Sequence, residues 1–329
     1  MRTDMVEALE RHQVAVYLGA IAAGWLVPVG GLAPLINPVL GALLYVTFLQ
    51  VPARDLIRSL RDGRFLAAAL TVNFVVVPLV VGAMFAFLPA DQGVRLGVLL
   101  VLLAPCVDYV IVFSGLAGGS SDRLLAATPL LLIAQMLLLP AFLLIFLGRD
   151  LAGAVEAGPF AEAFALLIVV PLALAWATQA WARRHRSGAV VGRAATVTMV
   201  PLMAATLFVV VASHAREAGG DVLRVVPFFV LFLLVMAFAG RGVARLFRLD
   251  VAAGRAVVFT GATRNSLVVL PLALALPDHL SVAASVVVTQ TLVEVAGMVA
   301  YVRLVPRLMS EQRAPVGPER LADQRGQDQ

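Results

Sequence analysis

LAPCVDYVIVFSGLAGG, residues 103–119, is apolar enough to lie within a bilayer. Yet it carries a proline (Pro105), the chain's only cysteine (Cys106), an aspartate (Asp108) and three glycines near its end (Gly115, Gly118, Gly119). A helical span needs ~20 largely apolar residues and an unbroken backbone hydrogen-bond ladder. A helix breaker and a charge near the middle of a span are both costly in lipid. They are tolerated where the interrupted backbone is buried in protein or lines an aqueous cavity. The stretch therefore reads as a broken transmembrane helix.

The rest of the chain fits that environment. Of 329 residues, 61% are hydrophobic and 14% charged, and the mean hydropathy is +0.96. A soluble domain is about half apolar and a quarter charged. The composition excludes a soluble helical protein and predicts an all-α polytopic membrane protein. All 25 basic residues are arginine, within a net charge of +5. They gather at span ends on one side, which orients a membrane protein and implies no nucleic-acid partner. A single cysteine excludes an internal disulfide and a cysteine-based zinc site. His12, His185, His214 and His279 lie at span ends or in loops, so no metal or cofactor is expected. The opening MRTDMVEALERHQ is short and mixed in charge, and it leads into a first span rather than a cleaved signal.

About ten apolar spans are expected, near 14–32, 35–51, 65–88, 94–118, 124–147, 160–182, 194–214, 222–247, 252–276 and 280–305. Ala33 and Pro34 suit a tight hairpin between the first two. Arg54, Arg58, Arg61 and Arg64 lie in one loop, Arg183, Arg184, Arg186 and Arg193 in another, and Arg241, Arg245, Arg248 and Arg255 in a third. Arg303 and Arg307 follow the last span. This excess puts both termini in the cytoplasm of a plasma (bacterial inner) membrane protein, and an even span count satisfies it. Arg54, Arg58 and Arg61 recur at helical spacing among Leu56, Ile57 and Leu60, as in a short surface helix. Trp25, Trp176 and Trp181 suit interfacial anchors. The polar tail, 310–329, has no apolar period and is expected to be disordered.

The two halves resemble each other. Asn37-Pro38 through Tyr45 aligns with Val200-Pro201 through Phe208, and residues 103–119 align with TGATRNSLVVLPLALAL from Thr260 onward. Cys106 then faces Thr263, Asp108 faces Asn265, and Ala126-Ala127 faces Ala283-Ala284. Residues 1–150 and 151–309 thus read as two repeats. With an odd number of spans in each, the second inserts upside down. Inverted repeats with corresponding broken helices place a substrate site near the midplane where the breaks meet.

Asp108, Arg264 and Glu294 are the ionisable residues within spans, each costing roughly 2.5–3.5 kcal/mol at mid-helix if unpaired. Asp108 and Arg264 lie on the two candidate crossing helices, either as a pair pinning the crossing or as groups setting a cavity's charge. Glu294, in TLVEVAGMVAY, suits a proton carrier or a structural carboxyl bonded to backbone. Cys106 reads as a small hydrophobe or, with freed N–H groups and an arginine nearby, as a thiolate able to hold a soft species. Asn73 and Asn265 are neutral cavity candidates, and Gln135 and Gln290 can bridge helices.

At these residues the chain resembles the Acr3-type arsenite efflux permeases of the bile acid/sodium symporter superfamily. APCVDYV around Cys106, VNFVVVPL around Asn73, TRNSLVV around Arg264 and Asn265, and LVEV around Glu294 carry the resemblance. It implies a non-enzymatic secondary transporter exporting arsenite and antimonite against protons, with Cys106 as metalloid ligand and Glu294 in proton coupling. Arg264 and Asn265 carry over with them, and the residues themselves add Asn73 and Asp108 to the expected substrate site. Asp108 departs from the family's pattern, where a small or apolar residue is expected. The alternative is a sodium- or proton-coupled carrier of bile acids or other organic anions with the same fold, in which Arg264 pairs with the cargo's carboxylate or sulfonate. Arg264 at the second break argues against bound sodium. A nucleophile–base or metal cluster for an intramembrane enzyme is missing from the sequence.

Overall fold

The computed structural model describes residues 13–26, 33–49, 62–107, 109–152, 165–214, 220–274 and 276–310. The surface helix expected around Arg54, the polar tail beyond 310, and Asp108 lie outside these residues. Among them the chain is almost entirely helical, without strands. In order come α1 (Gln13–Leu26), α2 (Ala33–Leu49), α3 (Gly63–Phe85), α4 (Gln92–Leu102), α5 (Tyr109–Leu116) and α6 (Ser121–Ala152). They are followed by α7 (Val170–Ala182), α8 (Arg186–His214), α9 (Val226–Leu246), α10 (Val251–Ala262), α11 (Ser266–Leu274) and α12 (Val282–Leu308).

Among the described residues five helices are long and apolar enough to cross a membrane: α3, α6, α8, α9 and α12. The apolar helices α4 and α10 are shorter, and each is the first part of an interrupted stretch. One boundary differs from expectation. Ala33 and Pro34 do not form the turn between the first two helices; they open α2. In the first turn of a helix proline's missing N–H leaves no bond unmade and its fixed φ is already helical.

Proline also shapes the helices from within. A π-turn at Val72–Val76 precedes Val77-Pro78, and another at Ala165–Val169 precedes Val170-Pro171. A proline cannot donate to the carbonyl four residues back, so the ladder widens in the turn before it. The first π-turn carries Asn73 and sits in the middle of α3.

The helices pack in two groups. One holds α3 to α6 and α9 to α12; the other holds α1, α2, α7 and α8. The groups draw on both halves of the sequence, and they meet where α11 touches α2 and α12 touches α8. In the first group a glycine lets two helices come close. A Cβ added at Gly97 of α4 would stand 2.8 Å from the Ala283 carbonyl oxygen of α12. Small residues that let backbones close up are the main device for holding helices together in lipid.

One end of the first group is clamped by arginines. Arg123, at the start of α6, pairs with Asp62 at 3.3 Å and Asp250 at 2.8 Å. Those aspartates are themselves the N-caps of α3 and α10, accepting from the Phe65 and Ala253 N–H groups. Partial burial pushes the Asp250 carboxyl up, but the Ala253 N–H and Arg123 outweigh it, so it lies below the ordinary carboxylate value. Arg255 ties the end of α12 to the turn after α5, donating to the Met309 carbonyl at 2.9 Å and the Ala117 carbonyl at 3.1 Å. Gly118 in that turn has φ +69°, the left-handed conformation that glycine adopts without strain.

Candidate functional site

The two interrupted stretches meet at their breaks. Leu103 closes α4, Pro105 has no N–H with which to continue a helix, and α5 starts at Tyr109. On the other side Thr263 turns to an extended conformation (φ −85°, ψ 137°) and ends α10. Asn265 then caps α11, its Oδ1 accepting from the Val268 N–H at 3.2 Å. The unwound segments pair as an isolated antiparallel bridge between Pro105 and Arg264. The Cys106 N–H donates to the Thr263 carbonyl at 3.1 Å, and the Asn265 N–H to the Ala104 carbonyl at 2.8 Å. Cys106 and Thr263, aligned with each other in sequence, are thus bonded in space.

Buried backbone groups must find partners, and side chains meet the remaining need here. The Arg264 N–H donates to Glu294 Oε2 at 2.9 Å, and the Arg264 carbonyl accepts from the Tyr109 hydroxyl at 3.1 Å. That hydroxyl also bonds Glu294 Oε1 at 2.5 Å. Gln290, one turn before Glu294 on α12, donates to Glu294 Oε2 and accepts from the Ser266 hydroxyl at 2.8 Å. Glu294 therefore holds α12 against both broken helices. Although no cationic residue lies within a turn of it in sequence, its carboxyl contacts the backbone of Arg264.

The Arg264 side chain runs the other way. Its Nη1 donates to the Leu102 carbonyl at 3.2 Å. Its Nη2 lies 2.7 Å from the Thr260 carbonyl, 2.7 Å from the Gly261 carbonyl and 2.9 Å from Asn73 Oδ1. The guanidinium carbon stands 5.5 Å from the Phe232 ring centre, a cation–π distance. The Asn73 amide nitrogen is engaged as well, donating to the Ala69 carbonyl at 3.0 Å and to Thr260 Oγ1 at 3.1 Å.

Arg264, Glu294 and Asn73 are fully buried, and Cys106 and Asn265 are 1% exposed. The structure thus brings five of the six residues expected at the site to one crossing, the sixth being Asp108. The Asn73 amide and both Arg264 Nη atoms are bonded within the protein, whereas Arg264 Nε and Asn265 Nδ2 have no hydrogen-bond partner among the described residues.

Tyr109 was not singled out by the sequence, nor were Thr260 and Ser266. A tyrosine in the middle of a span, away from the interfacial belt, needs a partner for its hydroxyl, and that was the available signal. Its ring meets Phe113 edge-on at 6.1 Å and packs against Leu43 of α2 and Val200 of α8. Tyr109 therefore stands where the two helix groups touch. Gln135, expected as a helix bridge, is buried on α6 with its Oε1 unpartnered among the described residues.

Interrupted helices, paired at their breaks and surrounded by buried charge within an apolar bundle, define a multi-pass membrane transporter. Residues 37–219, more than half of the chain, match the model of the Sodium Bile acid symporter family, and the chain belongs to that family. No curated protein matches the sequence.

Proposed function

We propose that the protein is a secondary active transporter exporting arsenite, with antimonite as a second cargo of like chemistry, by proton antiport. The observation that carries this reading is the Pro105–Arg264 bridge. It sets a thiol, Cys106, on one unwound segment and binds an ionisable carboxyl, Glu294, to the other. Trivalent arsenic is soft, and sulfur is its natural ligand. In As(OH)3 one As–O bond breaks and an As–S bond to Cys106 forms. The thiol proton leaves with the hydroxyl as water, and water reverses the step on the far side. One sulfur gives the loose capture that transport needs. Asn265 Nδ2, buried and unpartnered among the described residues, suits a donor to a remaining arsenic hydroxyl. Glu294 carries the coupling proton, and Tyr109 links it to the meeting line of the two groups. Asp108 completes the site from the same segment as Cys106.

We read 1–150 and 151–309 as inverted five-helix repeats in ten spans, with both termini cytoplasmic in the plasma membrane. The paired breaks, the packing of α2 on α8 and the arginine distribution support this. Transport would come from movement of the crossing group against α1, α2, α7 and α8.

The test is arsenite tolerance of a bacterial host lacking its own efflux pump. The protein should restore growth, and Glu294→Gln should remove the protection at equal expression. Absence of protection by the wild type would sink the cargo assignment. The family match favours a second reading, a sodium- or proton-coupled carrier of bile acids or other organic anions. Sodium-dependent uptake of such an anion into vesicles, without arsenite protection, would establish it.

A further inference from the structure

The partners of the Arg264 guanidinium are unusual for a buried arginine. Such a charge is normally met by a carboxylate in fork geometry. Among the described residues Arg264 forms no ion pair. Its acceptors are neutral oxygens: the carbonyls of Leu102, Thr260 and Gly261, and the Asn73 amide. Three of these converge on Nη2, which has only two hydrogens to donate. The oxygens outnumber the bonds that one nitrogen can make, so they gather around its charge more than along its N–H directions.

The source of the oxygens explains why a cation belongs there. Leu102 is the last residue of α4, and Thr260 and Gly261 lie in the last turn of α10. The final carbonyls of a helix have no intrahelical donor and carry the negative end of its dipole. Breaking two helices at one point aims both negative ends into one buried place. Half-helix C-termini and unwound carbonyls of this kind coordinate sodium or protons in secondary transporters. Here an arginine from the chain itself is there instead.

We propose that Arg264 is the transporter's resident cation. Its guanidinium fills, from within, a carbonyl-lined site fit for a monovalent metal ion, and so makes transport independent of sodium. Arg264 is then a residue that determines coupling-ion specificity rather than a cargo ligand. The inference rests on the transporter reading but not on the cargo. Its readout is ion binding, so it stands or falls separately from arsenite export.

The experiment uses the purified full-length protein in lipid nanodiscs. Binding of radioactive sodium is measured, together with melting temperature in sodium chloride against choline chloride at equal ionic strength. Wild type and Arg264→Lys, which both keep a fixed charge, should bind no sodium saturably and melt alike in the two salts. Arg264→Ala and Arg264→Gln leave the oxygens without their cation. At least one should bind sodium saturably and melt about 2–4 °C higher with sodium than with choline. Saturable sodium binding by the wild type would overturn the proposal. So would indifference to sodium in both neutral variants, whether they are folded or remain unfolded in both salts.

Discussion

Replacing Asn73 by leucine separates a framework role from a cargo role most sharply. The side chain is fully buried in the π-turn of α3 and makes three hydrogen bonds. Two are neutral, to Ala69 and Thr260, and each contributes about 1 kcal/mol net. The third, from the Arg264 guanidinium, belongs to the class worth about 1.5–3 kcal/mol, but Arg264 Nη2 keeps the Thr260 and Gly261 carbonyls and recovers part of it. Leucine has the same number and branching of side-chain heavy atoms and is slightly larger, so no cavity is left. The expected loss is roughly 2–4 kcal/mol, on the order of 5–10 °C in melting temperature. Thermal unfolding in detergent, followed by tryptophan fluorescence, measures it. A double-mutant cycle with Thr260→Val should isolate the Asn73–Thr260 bond at about 1 kcal/mol. The arsenite KM of the protein that remains folded should not change. A melting temperature within about 1 °C of wild type, together with a raised KM, would refute the reasoning and place the amide on the cargo.

Three further perturbations probe other parts of the account. Gly97→Ala puts a methyl 2.8 Å from the Ala283 oxygen and 2.9 Å from its Cα, both on the backbone of α12. Forcing α4 from α12 should cost about 1–3 kcal/mol in the same unfolding assay, and an unchanged midpoint would deny the close packing. Tyr109→Phe removes the hydroxyl donor to Glu294 and the Arg264 carbonyl but keeps the ring against Phe113, Leu43 and Val200. Export should slow about 10-fold or more while the protein stays folded, in line with a lost bond to a charged group, and wild-type export would remove Tyr109 from the site. Asp250→Ala loses the cap on α10 and should cost about 1 kcal/mol, since the exposed pair with Arg123 adds little. Because the folded carboxyl lies below its ordinary value, its contribution is complete above the ordinary carboxylate range and fades as pH falls through the folded value. The gap between wild type and variant should therefore close in acid, and a gap that widens there would contradict the assignment.

The breaks were legible because they are written in side chains. Pro105 cannot extend a helix, and the Thr263-Arg264-Asn265 run places an extended residue, a charge and a capping asparagine inside an apolar stretch. Glu294 was legible because a carboxyl in a span is costly wherever it lies. The destinations of the polar groups were not. Arg264 reaches mostly backbone carbonyls, which every residue has and no sequence marks. Asn73 looked like a lining residue, but a π-turn set by Pro78 turns its amide towards Arg264 and Thr260. Proline suits both a hairpin turn and the first turn of a helix, so Pro34 alone does not distinguish them, and the neighbouring backbone decides for the helix. Tyr109 was one aromatic among many until its hydroxyl was placed between Glu294 and the Arg264 carbonyl.

The central claim is that the crossing of the two broken helices is the transport site, with the Cys106 sulfur as the cargo's ligand. It is tested most directly by energised arsenite uptake into everted membrane vesicles containing wild type or Cys106→Ala at matched expression. The cysteine is buried, and its N–H bond to Thr263 is made by backbone that alanine also has, so the variant should fold. The wild type should take up arsenite, and the variant none above background. Equal uptake by the two would contradict it.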